Sequence, residues 1–404
     1  MTKDARRYGM GTRAVHPPAP PVPAQRPMGL PTYRTAAFIF DSAEDYSDIL
    51  NDRKPGYTYS RIDNPTADAF ALGVAELEGA EAAQPFASGM AAISTVLLAF
   101  LSTGDHLVGQ SQLYGGTFSM IRHVLPRFGI DSTLVDGADL DAVASSIGPK
   151  TRLVWVETLA NPAMTVADLP ALAELAHAHD ALLVVDSTFA SPVVCRPLEW
   201  GADIVVHSAT KYLGGHGDVT GGVALGSAEL MKQVRALRID LGGSLAPDDA
   251  FLLQRGISTM PLRVERHCAN ALAFAEAMSR HARVERVDYP GLTGHPQHGL
   301  AGKLFDADSR GQTMYGAIVT LTPRGTSESG LALCNGLRLA HVATSLGGVS
   351  TKVSHVASTT HRQLDEAALA ACGIAPSTVR VSVGIEDVND LIEDFEQALD
   401  ALPA

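Results

Sequence analysis

Two uninterrupted apolar runs stand near the middle of the chain, and each ends in a reactive group. Ala181-Leu182-Leu183-Val184-Val185-Asp186 shows no polar alternation, which is the pattern of a strand buried on both faces of a parallel sheet, and it closes on one carboxylate. Ala202-Asp203-Ile204-Val205-Val206-His207 leads into Ser208-Ala209-Thr210-Lys211-Tyr212 and then into the glycine-rich loop 214–222. Around these runs, short apolar stretches alternate with helical periodicity. Strands are predicted at 106–109, 131–135, 153–156 and 222–226, with helices from about 115 and over 139–146, 168–178 and 228–240. Such alternation implies βαβ units, hence an α/β fold with a mainly parallel sheet covered by helices on both faces.

Capping residues sharpen the boundaries. Asn64 before Pro65, with Gly79 after the apolar positions Phe70, Leu72, Val74, Ala75 and Leu77, predicts a helix over 65–79. Ser88-Gly89-Met90 precedes the apolar stretch 91–101, and a small-residue turn opening a helix offers free N–H groups and a positive dipole end, suited to a phosphate. Helical signal over 248–278 is broken at Gly256 and Pro261, and a domain boundary is placed there. Beyond it the chain reads as a smaller α+β lobe, with strands at 317–321 and 378–383 and helices at 327–336, 364–371 and 386–399. The last helix carries Val388, Leu391, Ile392, Phe395 and Leu399 on one face. The proline-rich stretch 17–31 favours an extended arm. The organisation expected is an arm over 1–62, a large domain over 63–260 and a small domain over 261–404. A chain of 404 residues exceeds the roughly 250–300 at which single cores stop growing.

Composition narrows the partners. A net charge of -13 argues against nucleic acid or an anionic membrane surface, either of which requires a basic face. The first residues lack the apolar core of a signal peptide, and no run reaches the roughly 18 apolar residues of a membrane span, so a cytoplasmic protein is expected. The four cysteines, Cys195, Cys268, Cys334 and Cys372, are scattered without C-x-x-C spacing, which suggests neither disulfides nor zinc. His207 and His216 have no third ligand at a useful spacing, so no metal is expected.

The chemistry centres on Lys211. A partly desolvated lysine has a depressed pKa that leaves its amine free to form a Schiff base with an aldehyde, and Ser208 and Thr210 beside it could hold a phosphate. Asp186, at the carboxyl end of its strand, lies where open α/β sheets bind ligands. An aldehyde-bearing lysine and an acid that keeps a pyridinium nitrogen protonated are the two protein groups that pyridoxal phosphate needs. Arg380 stands in the otherwise apolar strand Val379-Arg380-Val381-Ser382-Val383, where a buried guanidinium requires a partner, and a substrate α-carboxylate is a good one.

Five ordered segments then carry a resemblance: Tyr57-Thr58-Tyr59-Ser60-Arg61-Ile62-Asp63-Asn64-Pro65-Thr66, Ala87-Ser88-Gly89-Met90-Ala91, Leu113-Tyr114-Gly115-Gly116-Thr117, Asp186-Ser187-Thr188-Phe189 and Ser208-Ala209-Thr210-Lys211-Tyr212. Together they resemble the Cys/Met-metabolism family of pyridoxal-phosphate enzymes, of fold type I with a seven-stranded sheet. The resemblance implies that Tyr59 and Arg61 reach the phosphate of a neighbouring subunit's cofactor, in a homotetramer built as a dimer of dimers with shared sites. It also implies that Tyr114 stacks on the pyridine ring and serves as acid and base, that Asn161 meets the 3-hydroxyl, and that Glu157 supports the site from behind. Ser88, Gly89, Met90, Thr188, Ser208 and Thr210 are further expected cofactor contacts, and Ser345, Tyr59 and Thr360 join Arg380 as expected substrate contacts.

The family contains γ-eliminating lyases and γ-replacing transferases. By resemblance, methionine γ-lyases usually carry Cys where Gly116 stands, and cystathionine-using members carry Glu where Ser350 stands. The segment 358–364 is similar to the O-acylhomoserine sulfhydrylases, whereas His216-Gly217-Asp218-Val219 and the compact length are similar to the lyases. The expected activity is α,γ-elimination from L-methionine. O-acetyl- or O-succinylhomoserine sulfhydrylation, cystathionine γ-lyase or γ-synthase activity, and a cofactor-binding protein without catalysis are the alternatives.

Overall fold

The computed structural model describes residues 10–15, 25, 27–160, 164–359, 369 and 374–402. The central sheet has seven strands: β1 (Ala82–Phe86), β2 (His106–Gln110), β3 (Asp131–Val135), β4 (Thr151–Glu157), β5 (Leu182–Asp186), β6 (Ile204–His207) and β7 (Gly222–Gly226). Their order is β1-β7-β6-β5-β4-β2-β3. Strands β2 to β6 pair in parallel, while β7 runs antiparallel to both of its neighbours, β1 and β6. The α/β class expected from the alternating pattern is therefore present, with one strand reversed.

Apolar runs form the central strands β4, β5 and β6 because successive side chains point to opposite faces and both faces are covered. Leu153, Trp155, Val184 and Val206 enter one cluster, packed under the helices Gly89–Phe100 and Ala228–Leu241. Val154, Val156, Leu183, Val185 and Val205 enter the other, shared with the helices Pro65–Glu78 and Leu169–His177. The expected caps are in place. Asn64 accepts from Thr66 N at 2.9 Å, Ser88 accepts from Ala91 N at 3.1 Å, and Gly79 closes its helix at φ 73°.

Strand β1 was not legible in the sequence, because Ala-Ala-Gln-Pro-Phe has neither alternation nor β-branched residues, and a proline is tolerated only at a sheet edge. Its position governs the site. Since β7 opposes both neighbours, β1 and β6 run the same way and end together, Phe86 opposite Gly222 and His207 opposite Val223. The turn after β1 and the loop after β6 thus emerge side by side. Glycine permits the close approach, since a Cβ on Gly222 would lie 2.2 Å from the Ser88 carbonyl oxygen and one on Gly89 would lie 2.8 Å from Ser208 Cβ.

A second sheet follows: β8 (Val284–Asp288), β9 (Ile318–Pro323), β10 (His341–Val342), β11 (Lys352–His355) and β12 (Val379–Ser382), ordered β10-β11-β12-β9-β8. The long helix Met260–Ser279 packs against the C-terminal helix Val388–Asp400, with Phe274 and Phe395 edge to face at 4.7 Å. Residues 32–402 contain both sheets. Before them, the described residues include the short helix Met10–Val15, and most of the proline-rich stretch and of the expected helix 364–371 lies outside the described residues. No helix among the described residues is long and apolar enough to cross a membrane.

Candidate active site

A cavity of about 1180 Å³ opens at the carboxyl ends of the parallel strands. Its lining includes Ser88, Gly89, Met90, Tyr114, Glu157, Asp186, Thr188, Ser208, Thr210, Lys211, Ser345 and Arg380, twelve of the sixteen residues singled out from sequence. Asn161 and Thr360 lie outside the described residues. Tyr59 and Arg61 do not line this cavity: Tyr59 is half exposed, and the Arg61 guanidinium donates to the Ile239 carbonyl, 6.0 Å from the Tyr59 ring centre.

Lys211 follows β6, and its Nζ donates to Ser345 Oγ at 2.9 Å. Burial, reinforced by the nearby cations Arg380 and Lys352, lowers its pKa to about 8. At that value roughly a tenth of the amine is unprotonated at pH 7, against well under one in a thousand for a free lysine, and this is the form that attacks carbonyls. Ser345 itself adopts φ 78°, an unfavourable backbone conformation for a residue with a side chain, at the site where it meets the lysine.

Asp186 closes β5 and is 7% exposed. Thr188 donates to Oδ1 through both its N–H, at 3.0 Å, and its hydroxyl, and Thr188 Oγ1 in turn accepts from Ser208 N at 2.9 Å. The other carboxylate oxygen has no hydrogen-bond partner among the described residues. Burial raises the Asp186 pKa, opposed by the Thr188 bonds and by His207. A buried carboxylate with one oxygen unclaimed fits a cationic N–H donor in the cavity, as a protonated pyridine nitrogen would be.

The wall at the helix Gly89–Phe100 presents the first backbone N–H groups of that helix, brought against Ser208 by the absence of a side chain at Gly89. Thr210 Oγ1 ties the lysine loop to Gly221, accepting from its N–H at 3.1 Å. Opposite, Tyr114 begins the helix Gly115–Ser119, and its backbone N–H donates to the Glu157 carboxylate, which fixes the tyrosine from beneath. The cavity therefore offers an anion cradle, a buried acid and an amine, a donor set that fits pyridoxal phosphate.

Arg380, on β12, is 6% exposed and donates to the Ser345 carbonyl at 3.3 Å, while burial lowers its pKa to about 10. The fork of this arginine and the Ser345 hydroxyl suit a carboxylate.

Sequence reasoning missed His123, Thr220, Ser354, Ser358 and Thr359 on the cavity wall. His123 sits on a π-helical turn, Met120–Val124, which local periodicity does not announce, and Ser354 precedes the end of β11, a strand too short to show a pattern. His207, raised earlier as a stray metal-type residue, is buried and bonded to Glu78 at 2.9 Å.

The model of the family described as Cys/Met metabolism PLP-dependent enzyme matches residues 11–400. The chain is 42% identical over 402 residues to an L-methionine gamma-lyase of Fusobacterium nucleatum subsp. polymorphum, covering 99% of this chain and 100% of that one. It is 40% identical over 392 residues to a cystathionine gamma-synthase of Mycobacterium bovis, covering 97% of each. The crystal structure of metB from Corynebacterium glutamicum superposes with a TM-score of 0.87 at 36% identity, covering 98% of this chain and 99% of that one.

Proposed function

The chain belongs to the Cys/Met metabolism family of pyridoxal-phosphate-dependent enzymes, and from that premise we propose that it catalyses α,γ-elimination from L-methionine, which with one water gives 2-oxobutanoate, ammonia and methanethiol. The observation that carries the chemistry is the convergence of Lys211, Asp186, Tyr114 and Arg380 on one cavity. The choice of methionine is supported by full-length similarity to L-methionine gamma-lyases of several bacteria.

When bound, pyridoxal phosphate supplies an electron-accepting ring that makes the substrate's Cα proton acidic. The N–H groups of Gly89 and Met90, with the hydroxyls of Ser88, Ser208 and Thr210, would hold its phosphate, and Asp186, oriented by Thr188, would hold the proton on its ring nitrogen. Arg380 and Ser345 take the substrate carboxylate. The Lys211 amine, with its depressed pKa, takes the Cα proton and then serves the β-carbon. The Tyr114 phenol, with its backbone fixed by Glu157, delivers a proton to the departing sulfur. Each group acts on a stated atom within one cavity wall's reach, which is what orientation-driven catalysis requires.

Tyr59 and Arg61 are assigned to a neighbouring subunit's phosphate, a reading supported by their exposure outside this cavity; the assembly proposed is a dimer of dimers acting in the cytoplasm. Residues 63–260 are taken as the cofactor-binding domain and 261–404 as the small domain that brings Ser345 and Arg380.

A second reading, γ-replacement on an acylated homoserine, is favoured by the Mycobacterium bovis relative and by Gly116, where a side chain would lie 2.6 Å from both Met90 Sδ and Tyr114 Cε1. Incubation of the holoenzyme with L-methionine alone separates the two. Accumulation of 2-oxobutanoate is expected; none from methionine, together with turnover of O-acetylhomoserine plus sulfide, overturns the elimination reading.

A further inference from the structure

Gln297 stands just before the helix His298–Leu304, and its side-chain amide grips one residue of a distant loop twice. Gln297 Oε1 accepts from Val166 N at 3.0 Å and Nε2 donates to the Val166 carbonyl at 3.2 Å, across 131 positions of sequence. A primary amide bonded in this way takes the place of a neighbouring strand and holds the Val166 backbone where it is. Val166 also pairs with Leu159, and the Thr165 carbonyl accepts from Ala160 N at 2.9 Å. The Thr165 hydroxyl in turn donates to Gln112 Oε1 at 3.1 Å, two residues before Tyr114.

The turn that carries Tyr114 is thus held on three sides. Gln110 Nε2 donates to the Gln112 carbonyl, the Glu157 carboxylate takes the Tyr114 N–H, and the Thr165 hydroxyl takes the Gln112 side chain. The first two grips come from strands β2 and β4, whereas the third comes from the loop that Gln297 anchors. Tyr114 is 49% exposed, so packing alone does not fix its ring, and the direction of the phenol follows from the backbone of its turn. We propose that Gln297 is a positioning residue for Tyr114, acting through Val166, Thr165 and Gln112. This deepens the reading that Tyr114 protonates the departing sulfur, and rests on it. Gln297 is not part of the cavity lining, and Lys211 is held by other elements, so its transfer of the Cα proton does not depend on this chain of contacts.

The test compares Gln297→Met, Thr165→Val and their combination, all cofactor-loaded, in two reactions. Elimination from L-methionine is expected to lose about tenfold in kcat in either single variant with KM within twofold, the scale of a slightly misplaced catalytic group. L-norleucine has no leaving group to protonate, and exchange of its Cα hydrogen with deuterated water is expected to stay within twofold. The combination should lie within twofold of the weaker single variant, since both changes break one chain of contacts, and Thr165→Ser, which keeps the hydroxyl, should recover the rate. In the cofactor-free protein, amide hydrogen exchange across 111–115 should quicken in Gln297→Met and Thr165→Val alike. Unchanged kcat in both single variants, an equal loss of Cα exchange, or unaltered amide exchange across 111–115 overturns the proposal. Should Gln297→Met fail to fold, Thr165→Val carries the same comparison. Amide exchange reads the turn without any turnover, so it decides the proposal even if methionine is not the substrate; failure of the elimination reading shows instead in the product assay.

Discussion

At the scale of the residue, Lys211 is governed by what surrounds its amine. A free lysine titrates near 10.4, and burial beside Arg380 and Lys352 brings this one to about 8. In the cofactor-free protein, capture of added pyridoxal phosphate should accelerate as pH rises through about 8, followed by absorbance; a Lys211→Ala variant should not capture it at all. The same shift has a sign for stability. Below pH 8 the folded and unfolded chains both carry the proton. Between about 8 and 10.5 the unfolded chain alone retains it, so this group's contribution to stability increases with pH across that window. Denaturant midpoints of the cofactor-free protein compared with Lys211→Met should show that gain disappear. Asp186→Asn should keep the fold and the Thr188 contacts but lose turnover by on the order of 10²-fold, measured against unchanged circular dichroism. Gly116→Cys should displace the Tyr114 ring or Met90, lowering kcat about tenfold in the methionine assay.

At the scale of the element, the local rules held where backbone groups needed partners. Asn64→Ala removes a helix cap and the bonds from its side-chain amide to Tyr33 and Ser60, each 3.0 Å long. It should cost at least about 1 kcal/mol, read as a lower unfolding midpoint. The strands that could be read are β2 to β7, β9 and β12; most of them are buried on both faces and apolar for that reason, whereas β3, Asp-Ser-Thr-Leu-Val, is an edge strand read from the alternation of the elements around it. Those that escaped reading have other causes. β1 is an edge containing Pro85, β8 exposes the charged pair Glu285 and Arg286, β10 has two exposed residues, and β11 is four residues long with both Val353 and Ser354 on the cavity wall. Likewise Lys211, Asp186 and Arg380 were legible because an ionisable group interrupts an apolar run. His123 and Ser358 sit where no run is interrupted, and only the fold brings them to the wall.

At the scale of the whole molecule, Tyr59 and Arg61 face outward while the cavity they are assigned to serve lies elsewhere on the chain. If sites are shared between subunits, Arg61→Ala and Lys211→Ala, each inactive alone, should regain part of the activity when unfolded together and refolded as a mixture. A mixture as inactive as its components would place a complete site within each chain.

The reversed strand β7 has one more consequence. It separates β1 from β6, yet groups assigned to the cofactor follow both of those strands, the phosphate cradle after β1 and the amine after β6. A molecule held from both of these sides would act as a clasp over the strand lying between. Removing it should first loosen that strip of the sheet, seen as faster amide hydrogen exchange across 222–226 while β4 and β5 remain protected.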